Sequence, residues 1–143
     1  TQGLRDLDGL RTPITKQGCT HAYYVYPIIL DVEVLGTTRA IVAKALEAEG
    51  VTGLAEGYTN IHLLPMYQQK IAYGSSGFPW SSEICKREVN YAKGICPVAE
   101  KFHDSTFLAF AMCLHELSDD DVDLIISSFR KVWSSLDELQ TYV

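Results

Sequence analysis

The run Ser118-Asp119-Asp120-Asp121 is the feature that most constrains how this chain folds. A serine followed three residues later by an acid is the capping-box pattern, and acids in a first helical turn sit where the helix dipole favours negative charge. Behind it Val122, Ile125, Ile126, Phe129, Val132, Trp133 and Leu136 recur at helical spacing on one stripe. An apolar stripe of this kind faces a core. The remaining elements must therefore supply a surface for this helix to cover.

A second helix opens at Thr37-Thr38 and carries Ile41, Val42, Ala45, Leu46 and Glu49 at helical spacing until Gly50, which offers a left-handed stop. The run Ala22-Tyr23-Tyr24-Val25-Tyr26-Pro27-Ile28-Ile29-Leu30 is aromatic and β-branched, which reads as a strand. Pro27 cannot donate to a ladder, so that strand is expected at a sheet edge or with a bulge. Val51 to Ala55 suits a short second strand and Phe107 to Met112 an apolar one. Pro97 fits the first turn of a helix reaching about Asp104, because its missing N–H costs nothing there. Residues 1–20 hold Gly3, Gly9, Pro13 and Gly18 without a sustained period, and read as a lead-in segment or the end of an interdomain helix, with residues 21–143 forming a small domain. From Tyr58 to Lys93 a cluster of Gly74, Ser75, Ser76, Gly77, Pro79, Ser81 and Ser82 interrupts any period, and loops of that length are often functional. Too few strands are present for a doubly wound sheet. The expected class is α+β, a small antiparallel or mixed sheet with helices packed on one face.

At 143 residues the chain suits one ordinary domain. Its net charge of −6 argues against nucleic acid, which demands clustered Lys and Arg. Apolar runs such as Leu124-Ile125-Ile126 fall far short of a bilayer span, so no membrane role is expected. Thr1 opens no basic and apolar pattern of a signal peptide. Cys19, Cys85, Cys96 and Cys113 form no C-x-x-C pair and stand in no zinc-finger spacing with a histidine, so a metal site is not expected and reduced thiols in the cytoplasm are.

The ordered set of a Tyr-rich strand, Glu49-Gly50-Val51 ending a helix, Gly57-Tyr58, His62-Leu63-Leu64-Pro65-Met66-Tyr67, Cys96-Pro97-Val98-Ala99-Glu100, an apolar strand and Leu117-Ser118-Asp119-Asp120-Asp121-Val122-Asp123 runs from about His21 to Leu136. It resembles the C-terminal small domain of the DegT/DnrJ/StrS-type sugar aminotransferases, fold type I enzymes dependent on pyridoxal phosphate. The resemblance implies a cytoplasmic parent enzyme that moves an amino group from glutamate or glutamine to a keto sugar, commonly nucleotide-linked, and that works as a homodimer. It also implies that the large N-terminal domain supplies the Schiff-base lysine, the aspartate on the pyridinium nitrogen and most phosphate ligands. Lys16, Lys44, Lys70, Lys86, Lys93, Lys101 and Lys131 read as surface lysines, so no catalytic or cofactor-binding residue is expected in this chain, and no pyridoxal phosphate bound to it alone. Gly57-Tyr58-Thr59-Asn60 stands where many members carry a His-Tyr-Pro stretch.

The expected substrate-facing residues are Tyr58, His62, Tyr67 and Trp80. Imidazole and phenol can bond a sugar hydroxyl or phosphate, and Trp80 belongs with Phe78, Pro79 and Tyr91 to an aromatic group framing the long excursion. The alternative for each is packing. His103-Asp104 and His115-Glu116 are neighbours in sequence whose side chains diverge, so neither makes an acid–base dyad. Cys96 precedes a helix start but has no base, and no nucleophile elbow accompanies the histidines as a hydrolase would need. A second functional reading is a stand-alone module with the same small-domain fold that binds a protein partner through the Tyr58 to Tyr91 excursion.

Overall fold

The computed structural model describes residues 1–83 and 85–139; Ile84, residues 140–143 and the Cys113 side chain, which the readings above include, lie outside the described set. Two compact units emerge, one formed by Thr1–Gly57 with the described residues from Asp104 onward, the other by Tyr58–His103. The first holds a four-stranded sheet made of β1 (Leu10–Arg11), β2 (Tyr26–Leu30), β3 (Leu54–Glu56) and β4 (Phe107–Phe110). The spatial order is β1-β2-β4-β3 and every pairing is antiparallel. With its helices this is the small α+β architecture expected from the sequence.

Register places apolar residues opposite one another on one face. Tyr26 faces Phe110, which faces Leu54; Ile28 faces Leu108; Leu30 faces Leu10. Directly opposed residues share a face, so this set forms one apolar layer. Two helices contribute the other layer: α2 (Arg39–Ala48) buries Val42, Ala43 and Leu46, and α5 (Asp119–Ser134) buries Phe129 and Val132. These residues join Leu4, Leu35 and Val51 in a single core cluster. Each fully buried side chain of this type contributes about 1.5–3 kcal/mol.

The caps account for the helix limits. Thr38 Oγ1 accepts from the Ile41 N–H at 3.3 Å to start α2. At its other end Gly50 adopts φ +90°, its N–H reaches Glu47 O at 3.0 Å, and Val51 N–H reaches Leu46 O at 2.9 Å. That pair of bonds is the Schellman arrangement, which carries Val51 into the core beside Leu46. The expected capping box opens α5: Asp121 N–H donates to Ser118 Oγ at 3.2 Å and Ser118 N–H to Asp121 Oδ2 at 2.8 Å.

One strand is placed differently from the sequence reading. β2 is interior, not an edge, with β1 on one side and β4 on the other. Its proline is tolerated because β1 is only two residues long and pairs with Ile29 and Leu30, so at Pro27 the strand has β4 alone as partner. Residues 1–20 supply Leu4 and Leu10 to the core and β1 to the sheet. The segment is tied to α5 by side chains: Arg130 Nη2 donates to Gly3 O at 2.9 Å and to Asp6 Oδ1 at 2.7 Å, and Trp133 Nε1 donates to Asp8 O at 2.8 Å.

The stretch from Tyr58, read from sequence as an aperiodic excursion, belongs to a compact unit of its own. It has a 3-10 turn at Ile61–Leu63 and two short helices, α3 (Pro65–Gln68) and α4 (Pro97–Lys101), the latter running on into a π-helical turn at Phe102–Thr106. Pro65 and Pro97 both occupy the first turn of their helices, the position proline suits. In place of a periodic apolar face, side-chain hydrogen bonds and ring contacts compact this unit.

Candidate functional site

All four sequence candidates, Tyr58, His62, Tyr67 and Trp80, fall in the Tyr58–His103 unit. His62 stands in the 3-10 turn, and its Nε2 lies 2.9 Å from Glu100 Oε1 on α4. Both side chains are close to fully enclosed, at 11% and 7% exposure. The Glu100 carboxylate also accepts from Gly94 N–H at 2.7 Å and 2.8 Å through its two oxygens and from Cys96 N–H at 3.1 Å. Burial pushes its pKa up, but the N–H groups of Cys96 and Gly94 and the His62 ring outweigh this and hold it below the ordinary glutamate value. Glu100 thus remains an anion in a buried place because the Gly94 and Cys96 N–H groups and the His62 ring meet its carboxylate.

Tyr67, on α3, packs into a triangle of aromatic rings. Its centroid is 6.2 Å from Trp80 and 5.2 Å from Tyr91, and Trp80 meets Tyr91 edge-on at 6.3 Å. The indole Nε1 donates to the Tyr91 hydroxyl at 2.9 Å, so Trp80's one polar atom is already engaged. Edge-to-face geometry of this kind is attractive beyond area burial. Gln68 joins the two clusters, its Nε2 donating to His62 O at 2.7 Å and to Tyr91 O at 2.6 Å. An open cleft of about 560 Å³ runs beside them, lined by Tyr67, Gln68, Lys70, Glu88, Asn90 and Tyr91. Tyr58 is different: its ring is 63% exposed, with the phenol available to solvent.

The structure therefore groups Tyr67 with Trp80, links them through Gln68 to His62, and leaves Tyr58 exposed. Sequence reasoning did not single out Glu100 or Gln68. Glu100 had a visible signal, since a glutamate shortly after a helix start can reach back to the N–H groups before it, as in a capping box. Here it stands four residues beyond the N-cap Cys96, one more than the usual pattern, and so escapes that template. Of the remaining candidates, Cys96, His115 and Glu116 are exposed and His103 is half-buried. Among the described residues no group of three His, Cys, Asp or Glu is placed to hold a metal ion. No helix among them is long and apolar enough to cross a membrane.

A lysine that works as a Schiff-base nucleophile sits in a desolvated pocket. Lys16, Lys44, Lys86, Lys93, Lys101 and Lys131 are exposed, and Lys70 lines the open cleft.

The chain was compared with known proteins. It is 24% identical over 131 residues to the uncharacterized protein MJ1066 of Methanocaldococcus jannaschii, covering 92% of this chain and 28% of that protein. It is 26% identical over 134 residues to the spore coat polysaccharide biosynthesis protein SpsC of Bacillus subtilis, covering 94% of this chain and 29% of that one. The chain thus spans less than a third of the length of these relatives. A family model matches residues 1–93, a stretch that takes in β1 to β3, α1 (Val32–Leu35), α2, α3 and all four candidate residues. The chain belongs to the DegT/DnrJ/EryC1/StrS aminotransferase family.

Proposed function

We propose that this chain is the C-terminal small domain, residues 21–143 with a lead-in at 1–20, of a longer sugar aminotransferase. The parent uses pyridoxal phosphate to move an amino group from glutamate or glutamine to a keto sugar, commonly nucleotide-linked, and acts in the cytoplasm as a homodimer. The family match over residues 1–93, in a chain under a third the length of its relatives, carries this reading. The name of SpsC, a polysaccharide biosynthesis protein, supports a sugar as acceptor.

Pyridoxal phosphate would supply the electron sink for the chemistry. This chain's residues bind and orient. The exposed Tyr58 phenol offers a donor and acceptor for a sugar hydroxyl. The His62 ring is fixed by Glu100, so what it presents is held in place, and Tyr67 and Tyr91, both in ring contact with Trp80, line the adjoining cleft. Rigid support of this kind keeps substrate-positioning groups within productive geometry.

The test compares this chain with the full-length protein. The full-length protein should transfer an amino group to a keto sugar and give a borohydride-trapped cofactor adduct at one lysine. This chain mixed with pyridoxal phosphate should give neither. A stable trapped adduct on a single lysine of this chain, with transaminase turnover, would overturn the proposal.

A further inference from the structure

A second open cleft of the Tyr58–His103 unit, about 420 Å³, adjoins the one that Tyr67 and Tyr91 line and shares Lys70, Glu88 and Val89 with it. Its charge runs against that of the chain. Lys70, Lys86 and Arg87 line it with Glu88 as the one acid, three cations against one anion for a net of +2, whereas the whole chain carries −6. Among the described residues no ion pair and no side-chain hydrogen bond engages any of these three cations. Arg39, Arg130 and Lys131 of the sheet unit each meet a carboxylate.

Lys70 stands in the cleft at a conformational cost. Its N–H reaches Tyr67 O at 3.2 Å and the Ile71 N–H reaches Met66 O at 3.0 Å, the Schellman arrangement that closes α3. The residue after the C-cap Gln69 is then left-handed, and Lys70 has φ +55°. Glycine fits that conformation without strain, and Lys70 is the one non-glycine residue among those described with a positive φ. A side chain is thus kept where the backbone alone favours none, and strain of this kind gathers at ligand clamps. Ser81 and Trp80, which also line the cleft, are held by near neighbours: Ser81 Oγ donates to Ser76 O at 2.7 Å and Ser81 N–H to Gly77 O at 3.0 Å. Tyr91 already engages the Trp80 N–H, so Trp80 gives the cleft ring surface and no polar atom.

We infer that the cleft of Lys70, Lys86 and Arg87 binds a small phosphate monoester, with the group that carries the phosphate lying on the Trp80 ring. Charge selects the ligand class: a phosphate monoester carries about −1.5 to −2 near neutral pH and balances the cleft, whereas a single carboxylate leaves it positive. The guanidinium fork of Arg87 suits two phosphate oxygens at once, and the two ammonium groups add point charges. Size agrees, since about 420 Å³ falls within the ordinary range for small-molecule sites. Trp80 and Val89 set apolar surface beside the charges, the mixture such sites show. An extended polyanion is disfavoured by Glu88 in the cleft and by the chain's net negative charge. Nothing in this depends on amino transfer.

Titration calorimetry on this chain tests it, with phenyl phosphate, inorganic phosphate, succinate and a single-stranded oligonucleotide as probes. Phenyl phosphate should bind one to one and tighter than inorganic phosphate, and raised salt should weaken it. A lost charged contact is worth about tenfold, so Lys70→Gly and the pair Lys86→Gln, Arg87→Gln should each weaken phenyl phosphate by about tenfold or more. Lys86 and Arg87 are exposed and glycine suits the backbone at position 70, so neither variant should lower the thermal midpoint. Lys131→Gln, which removes the pair with Glu49, should bind as the parent does. Unchanged binding in both cleft variants would overturn the inference, as would tighter binding of succinate or the oligonucleotide. So would an absence of saturable phenyl phosphate binding, or binding no tighter than that of inorganic phosphate.

Discussion

Replacing Phe129 with alanine tests whether the sheet unit draws its stability from the stripe on α5. Phe129 is 1% exposed and stacks on Trp133 with centroids 6.0 Å apart. It also lines a small apolar cavity of about 70 Å³ with Leu4, Ile28 and Ile126. Truncating a buried phenylalanine costs about 3–5 kcal/mol, the sum of lost transfer energy and the space left behind. The vacated ring would adjoin a gap that already exists, which neighbours have not closed, so the cost falls in the upper part of that range. With about 3 °C of midpoint per kcal/mol for a chain of this size, the thermal midpoint drops by about 12–15 °C. Leu124 on the same helix is 67% exposed, and Leu124→Ala should stay within about 0.5 kcal/mol. The assay uses the chain's two tryptophans, Trp133 in α5 and Trp80 in Tyr58–His103. In a Trp80→Phe background, fluorescence during thermal and urea unfolding reports the sheet unit alone. Equal midpoint shifts for Phe129→Ala and Leu124→Ala would refute the reasoning.

Two further outcomes follow from named contacts. Because Glu100 is held below the ordinary glutamate value in the folded state, its contribution is fully present above that value and is lost as pH falls through the lower folded one. Glu100→Gln should therefore flatten the acid loss of Trp80 fluorescence relative to the parent chain, and parallel acid curves for the two would contradict it. Asp6 and Asp121 are also lowered, by Arg130 and by Ser118 respectively, which is why the comparison is a difference between variants. Ser118→Ala removes the side-chain acceptor of the α5 cap and should cost about 1 kcal/mol in urea unfolding, with the m-value unchanged; no loss of stability would show that the cap is redundant.

The sheet unit was largely legible because its signals are local. α2 and α5 announce themselves through caps and a 3.6-residue stripe, and the Gly50 stop needs only its own neighbours. β1 escaped because two residues carry no period, and the position of Pro27 depends on how far β1 extends beside it, which no residue near Pro27 reports. Family likeness reached further than periodicity, since it relies on order and not on any single motif, and the matched region begins at Thr1 where no element was evident from pattern.

The Tyr58–His103 unit shows where such reading stops. Its organising contacts join residues distant in sequence, His62 with Glu100 across 38 positions and Gln68 with Tyr91 across 23. A hydrogen bond leaves no periodic trace at either end, so residue type alone could nominate His62 but could not find the carboxylate that holds it. The same physics explains why glycine and serine can cluster between Gly74 and Ser82: without a periodic apolar face to maintain, the chain is free to follow its turns. What looks like a loop in sequence is then a compact unit whose large apolar side chains, such as Ile61, Tyr73 and Val98, are exposed. His62 and Tyr67 are accordingly better understood as parts of a supported framework than as isolated reactive groups.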